Sequence, residues 1–329
     1  FPVTTPAVHK KPNPHHRPPT PPPWPLRPLC DALFDASMLV FPAHKLSCPP
    51  ECSSWKYWKV LSFAGYPMKR FLSTLTLLFA SLIAWSPNAL AKDWKVIRFG
   101  VDPSYPPFES KAPDGGLVGF DIDLGEALCT KLNAKCVWVE NDFDGMIPAL
   151  QARKIDAVLS DMSVTDKRKQ QIDFTNRISF SPTRMVAKTG SNLQPTSESL
   201  RGKNIGVEQG TIQETYAKTY FEPKGVNVVS YQNQDQVYAD LKSGRLEAAL
   251  QDEAQASAGF LKTSEGRGYE FSGPEINDTK ILGSAAAIGL RKGDTDLKDA
   301  LNNALADLLK DGTYQAIAKK YFDFNIYGE

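Results

Sequence analysis

The sequence predicts an α/β protein whose two similar lobes face a single cleft, and three observations carry that prediction. Between residues 96 and 160, stretches of strand pattern alternate with stretches of helical pattern, which argues for a parallel sheet flanked by helices. After about residue 185 the alternation starts again. Finally, the chain nearly repeats a phrase. "ARKIDAVLSD" at 152–161 and "SGRLEAALQD" at 243–252 both run from a base through an apolar core to an aspartate, Asp161 or Asp252. Apolar strand cores vary little, so chance similarity is the alternative for this echo.

The elements follow in order. "VIRFGVD" (96–102) is expected as a strand, and "DIDLGEALCTKLN" (121–133) has helical apolar spacing at Ile122, Leu124, Leu128 and Leu132. "CVWVEND" (136–142) reads as a strand, "DGMIPALQARK" (144–154) as a helix and "IDAVLS" (155–160) as a buried strand. In the second half, "KNIGVEQG" (203–210), "VNVVSY" (226–231) and "LEAALQD" (246–252) are strands. "TIQETYAKTYF" (211–221) and "NQDQVYADLKSGR" (233–245) are the helices between them. Leu297, Leu301, Leu305 and Leu308 fall on one face of a helix over 296–309, and 312–322 forms another. Each echoed aspartate then ends a parallel strand, where α/β sheets place ligand-binding groups.

The first 91 residues read differently. Residues 1–67 hold 15 of the 25 prolines and all four histidines, and show no helical or strand period. They are expected to be either a disordered Pro-rich extension or upstream sequence preceding a start at Met68. Residues 68–91, "MKRFLSTLTLLFASLIAWSPNALA", have a basic start, an apolar run and a small-x-small ending, the layout of a signal peptide cut after Ala91. Export would leave 238 residues. Removing the nine basic and three acidic residues of 1–91 from the 38 and 37 of the whole chain leaves 29 and 34, a net charge of −5. That balance disfavours a nucleic-acid partner.

Two cysteines remain, Cys129 and Cys136, seven residues apart. In an oxidising compartment this pair suggests a local disulfide, two buried free thiols being the alternative. With no histidine after residue 91, the segment offers little for a metal site.

The residues also carry a resemblance. "FGVDPSYPPFESK" (99–111), "GFDIDLGEALC" (119–129), "DFDGMIPALQARKIDAV" (142–158), "MSVTDKRKQQIDF" (162–174), "GVEQGTIQETYA" (206–217), "ALQDEAQASAGFL" (249–261) and "DGTYQAIAKKYFDFNIYG" (311–328) resemble periplasmic polar-amino-acid-binding proteins of ABC importers. The likeness is greatest to those that bind lysine, arginine, ornithine or histidine. It implies the type II periplasmic binding-protein fold, two α/β lobes joined by two crossing strands. Lobe 1 is then expected over 92–180 and 285–329 and lobe 2 over 181–284, with crossings near 179–187 and 280–290. It further implies a monomeric periplasmic protein with an amino-acid ligand, a membrane permease as partner, no cofactor and no enzymatic activity.

The resemblance assigns roles as well. Arg168 matches the arginine that grips the ligand's α-carboxylate, for which a planar guanidinium is suited; composition alone suggests a solvated helix arginine between Lys167 and Lys169. Thr211, Ile212 and Gln213 begin a helix whose free N–H groups would hold the same carboxylate, though Thr211 has the alternative of a simple N-cap. Asp252 matches the residue that binds the α-ammonium, with Ser163 assisting from the other lobe; its alternative is to cap the helix starting at Glu253. Tyr105 and Phe143 match aromatic walls, and Asp102 and Ser160 the polar end that reads the ligand's side chain. Two positions depart from the pattern. Asp161 stands where the family usually carries Ser, and Glu208 where it usually carries an apolar residue. If both face the cleft, four carboxylates meet one arginine and a cationic ligand side chain is implied. The alternatives are that Asp161 only pairs with Arg168 and that Glu208 points outward. The same scaffold also serves dehydratases of aromatic biosynthesis and opine-binding proteins; against the enzyme, no residue stands as an obvious general base.

Overall fold

The computed structural model describes residues 94–328, so the readings for residues 1–91 lie outside the described residues. The strands of the first half are β1 (Val96–Val101), β2 (Ser104–Tyr105), β3 (Glu109–Lys111), β4 (Leu117–Val118), β5 (Lys135–Glu140), β6 (Ala157–Val158) and β7 (Ile172–Ser179). Those that follow are β8 (Thr183–Lys188), β9 (Asn204–Glu208), β10 (Asn227–Tyr231), β11 (Ala248–Asp252), β12 (Tyr269–Phe271) and β13 (Ala286–Arg291). They build two five-stranded sheets, ordered β5-β1-β6-β13-β7 and β10-β9-β11-β8-β12, while β2, β3 and β4 form a small antiparallel sheet.

The two large sheets share one plan. β1 is parallel to both β5 and β6, and β9 is parallel to both β10 and β11. The fourth strand of each, β13 or β8, runs antiparallel to the third. The chain leaves the first sheet after Ser179 and enters the second at Thr183; it returns between Phe271 and Ala286. Each passage therefore delivers a strand to the place beside β11, which ends at Asp252, or beside β6, which Asp161 follows in the chain.

Burial explains why these segments become these elements. Ile97, Phe99 and Val101 in β1 are fully buried, and Gly100 between them lies where a Cβ would come within 2.5 Å of the Ile155 side chain. The helix Thr295–Asp311 buries Leu297, Leu301, Leu305 and Leu308 against the first sheet, as their spacing predicts. Each such leucine contributes roughly 1.5–3 kcal/mol on burial. Phe108, Phe120, Tyr314 and Phe322 close this core as an edge-to-face cluster. Cys129, near the end of the helix Phe120–Lys131, and Cys136, in β5, form a disulfide with Cα atoms 5.9 Å apart.

Two elements are shorter than their sequence suggests. β6 covers only Ala157–Val158, because Ser160 and Asp161 leave the ladder for a turn in which Asp161 takes φ +40°. β9 ends at Glu208, so Gly210, at φ +80°, belongs to the turn before the next helix rather than to the strand. Among the described residues, no helix is long and apolar enough to cross a membrane.

Candidate functional site

The carboxyl ends of β1 and β6 face those of β9 and β11, and each of the four places an acid at one cavity. Asp102 follows β1. Its Oδ1 accepts from the Ser104 N–H (3.0 Å) and hydroxyl (2.7 Å), and its Oδ2 from the Phe143 N–H (3.1 Å). These bonds favour the ionised form, but burial outweighs them and raises the carboxyl above its ordinary value.

Behind Asp102 lies a buried support that sequence reasoning missed. The Asp102 N–H donates to Ser160 Oγ (3.1 Å), and the Ser160 hydroxyl donates to Glu109 Oε1 (2.5 Å). Glu109 and Asp121 are both fully buried and act on each other's protonation, and Glu109 Oε2 and Asp121 Oδ1 have no partner among the described residues, so the two are not ionised together. Burial pushes Glu109 well above the carboxylate range and Asp121 up to about 7. Asp121 Oδ2 then accepts the Asp161 N–H (2.8 Å), pinning the left-handed turn. Asp161 does face the cavity, but no ion pair joins it to Arg168 among the described residues: its Oδ1 accepts from Ser179 Oγ (3.0 Å). Burial first, then Asp252 and Asp121, hold its carboxyl well above the usual range.

The opposite wall uses other means. Glu208, the last residue of β9, is 2% exposed and lines the cavity, with a buried Oε1 that has no partner among the described residues. It does not point outward. Burial, followed by the charge of Asp102, pushes its carboxyl well up. Thr211 is the N-cap of the helix Ile212–Tyr220, accepting from the Glu214 N–H (3.1 Å), so the capping alternative is realised at the cavity wall itself. Asp252 ends β11 and likewise caps its short helix, with Oδ1 accepting from Gln255 N–H (3.0 Å) and Ser181 Oγ (2.9 Å). Burial lifts Asp252 to about 6.

Arg168 joins the walls. It is 7% exposed, unlike a solvated helix arginine, and its Nη1 donates to the Ser163 carbonyl (2.7 Å) while Nη2 donates to the Gly210 carbonyl (3.0 Å). Its Cζ lies 5.2 Å from the Phe143 ring centroid. Burial lowers its pKa to about 10. Tyr105 also reaches across, its hydroxyl donating to Gln251 Oε1 (2.8 Å), and Gln213 Nε2 donates to Thr183 Oγ1 (3.1 Å). The walls are in direct contact at Gly210, where a Cβ would stand 2.7 Å from Asp144 Cα.

Asp102, Tyr105, Phe143, Ser160, Asp161, Ser163, Arg168, Glu208, Thr211, Ile212, Gln213 and Asp252 thus all line one cavity of about 340 Å³. Sequence reasoning had not placed Arg177, Asp278 or the segments 180–183, 276–279 and 282–286 there. The lining carboxyls are five, Asp102, Asp161, Glu208, Asp252 and Asp278, against two guanidiniums, Arg168 and Arg177. The arrangement suits a ligand with one anionic group and more than one cationic group. Among the described residues, no group of three or more His, Cys, Asp and Glu side chains is placed to hold a metal ion.

Residues 97–324 match the model of bacterial extracellular solute-binding proteins, family 3. The histidine-binding periplasmic protein of Escherichia coli K12 is 49% identical over 79% of this chain and 100% of its own length. The lysine/arginine/ornithine-binding periplasmic protein of the same strain is also 49% identical, over 80% and 100% respectively. Among solved structures, an ancestral arginine-binding protein bound to arginine is 38% identical with a TM-score of 0.65, covering 69% of this chain and 98% of that one. With its two-sheet architecture and this level of likeness along the described residues, the chain belongs to family 3 of the bacterial extracellular solute-binding proteins.

Proposed function

We propose that this protein captures a basic L-amino acid (arginine, lysine, ornithine or histidine) in the periplasm and delivers it to an ABC permease by lobe closure. The observation that carries the reading is the composition of the cavity, where acids from both walls outnumber guanidiniums five to two. The relatives described above, periplasmic proteins named for histidine and for lysine, arginine and ornithine, support the same choice.

In this reading Arg168 and the first N–H groups of the helix Ile212–Tyr220 hold the α-carboxylate. Asp252 and Ser163 hold the α-ammonium, with Asp161 lining the cavity on the first wall. Tyr105 and Phe143 flank the side chain, and Asp102, Ser160 and Glu208 read its head. Residues 92–180 and 285–329 form one lobe and 181–284 the other, hinged where the chain passes between the sheets. Ligand touching both walls stabilises the closed state over the open one, which is the form the permease accepts. The protein acts as a binding protein rather than an enzyme.

Titration calorimetry of protein stripped of bound ligand by unfolding and refolding tests this. Saturable binding of basic amino acids, with glutamine and glutamate weaker, is expected. A preference for glutamine or glutamate overturns the specificity, and turnover of prephenate or arogenate overturns the binding-protein role.

A further inference from the structure

Glu208 and Asp102 meet across the cleft. Asp102 stands at the end of β1 and Glu208 at the end of β9, the equivalent strands of the two sheets; both are buried, both line the one cavity, and each acts on the other's protonation. Two buried carboxyls at one cavity, neither in an ion pair among the described residues, do not both stay ionised without a cation. The local bonds say which one carries it. Asp102 accepts three donors, from Ser104 twice and Phe143 once, whereas Glu208 Oε1 is buried without a partner among the described residues. The other groups acting most strongly on Glu208 are Asp235 and Asp142, both acids, and Tyr105 and Tyr238 also feel its charge. Asp102 in turn acts on Glu109 and Asp235. Arg168 lines the same cavity but is engaged with the Ser163 and Gly210 carbonyls.

We propose that Glu208 and Asp102 share a proton in the closed, unliganded cleft, and that the side-chain cation of a basic amino acid displaces it. The exchange balances in charge: the Glu208 O–H bond breaks, its proton passes to the solvent, and an N–H of the entering cation donates to the carboxylate left behind. No electrons are transferred. Glu208 is thereby a specificity-determining residue that distinguishes a cationic head from a neutral one of similar shape. A neutral head leaves the proton in place, and at low pH the discrimination narrows because the proton competes more strongly. The inference rests on the basic-amino-acid reading above.

Calorimetry of the whole protein in buffers of different ionisation enthalpy, with arginine and its neutral isostere citrulline, reads the proton directly. Near pH 6.5 arginine should release about one proton more than citrulline, and arginine affinity should fall by up to about tenfold per pH unit on acidification. The difference between the two ligands cancels any proton released at the α-ammonium end, where Asp161 and Asp252 lie. In Glu208→Gln the extra proton should vanish while arginine still binds, more weakly. If citrulline binds too weakly to titrate, wild type against Glu208→Gln with arginine alone decides. Equal proton release by arginine and citrulline, or by wild type and Glu208→Gln, overturns the exchange while leaving basic-amino-acid binding intact. Failure of every basic amino acid to bind overturns both.

Discussion

The wall built by β1 and β6 and the wall built by β9 and β11 follow the same strand plan, yet they hold their acids in different ways. On the first wall, Asp102 and Asp161 are positioned from behind, by Ser160 and by the buried Glu109–Asp121 pair. On the second, Asp252 caps a helix and Glu208 has little beyond the opposing Asp102. Equivalent positions in a duplicated architecture therefore do not imply equivalent roles. The first wall presents a preformed carboxylate platform; the second contributes a helix start, one capped aspartate and one acid that needs a proton or a cation.

The residue that spans the walls should matter most. Arg168→Ala is expected to weaken ligand binding by about 2–5 kcal/mol, because it leaves a buried carboxylate without its partner and releases the Gly210 carbonyl. Calorimetry checks it; retained affinity would show that the helix start alone suffices. The two echoed aspartates come next. Asp252→Asn should cost about 1.5–3 kcal/mol for every amino acid tested, the range of a hydrogen bond to a charged group. Asp161→Ser should cost under about 1 kcal/mol, since its oxygen already serves Ser179. Equal losses would break the asymmetry.

Much of this was legible in the sequence, for physical reasons. Leu297, Leu301, Leu305 and Leu308 declare a helix because only one face of it is buried. Arg168 is different. Its neighbours Lys167 and Lys169 are exposed, so local composition pointed to solvent and only the motif identified it. Glu208 could not be oriented at all, because Ile205, Gly206, Val207 and Glu208 are all buried and leave no two-residue alternation to read. The Glu109–Asp121 pair was invisible for a related reason. An acid in the first turn of a helix, as Asp121 is, ordinarily complements the helix dipole, and nothing local reveals a second acid folded against it.

Smaller effects sharpen the comparison further. Gly210→Ala adds a Cβ where φ is +80° and Asp144 Cα lies 2.7 Å away. It should obstruct closure more than folding, weakening binding by about 1–3 kcal/mol with only a modest change in thermal stability. Small-angle scattering with ligand present should then show a more open particle; an unaltered closed form would count against contact of the walls at this turn.

The acids also set a pH dependence. Asp121 and Asp252 titrate at about 7 and about 6 in the folded protein, and near the ordinary value of about 3.9 when unfolded. Between these limits the folded state binds more protons than the unfolded one, so stability falls as pH rises. The Tm of the ligand-free protein should be higher near pH 5 than near pH 7.5. The stabilisation by arginine should show the opposite trend. A ligand-free Tm that rises toward pH 7.5 would mean that these carboxyls are not protonated in the fold.

The central claim is that two walls of acids select a cationic side chain, with Asp102 reading its head. Its most direct test is the affinity of stripped protein for arginine and glutamine, measured in wild type and in Asp102→Asn. Arginine should bind at least about 100-fold more tightly than glutamine in wild type, the equivalent of about 2.7 kcal/mol, and the gap should shrink in the variant. Glutamine binding as tightly as arginine, or a gap unchanged by Asp102→Asn, would contradict it.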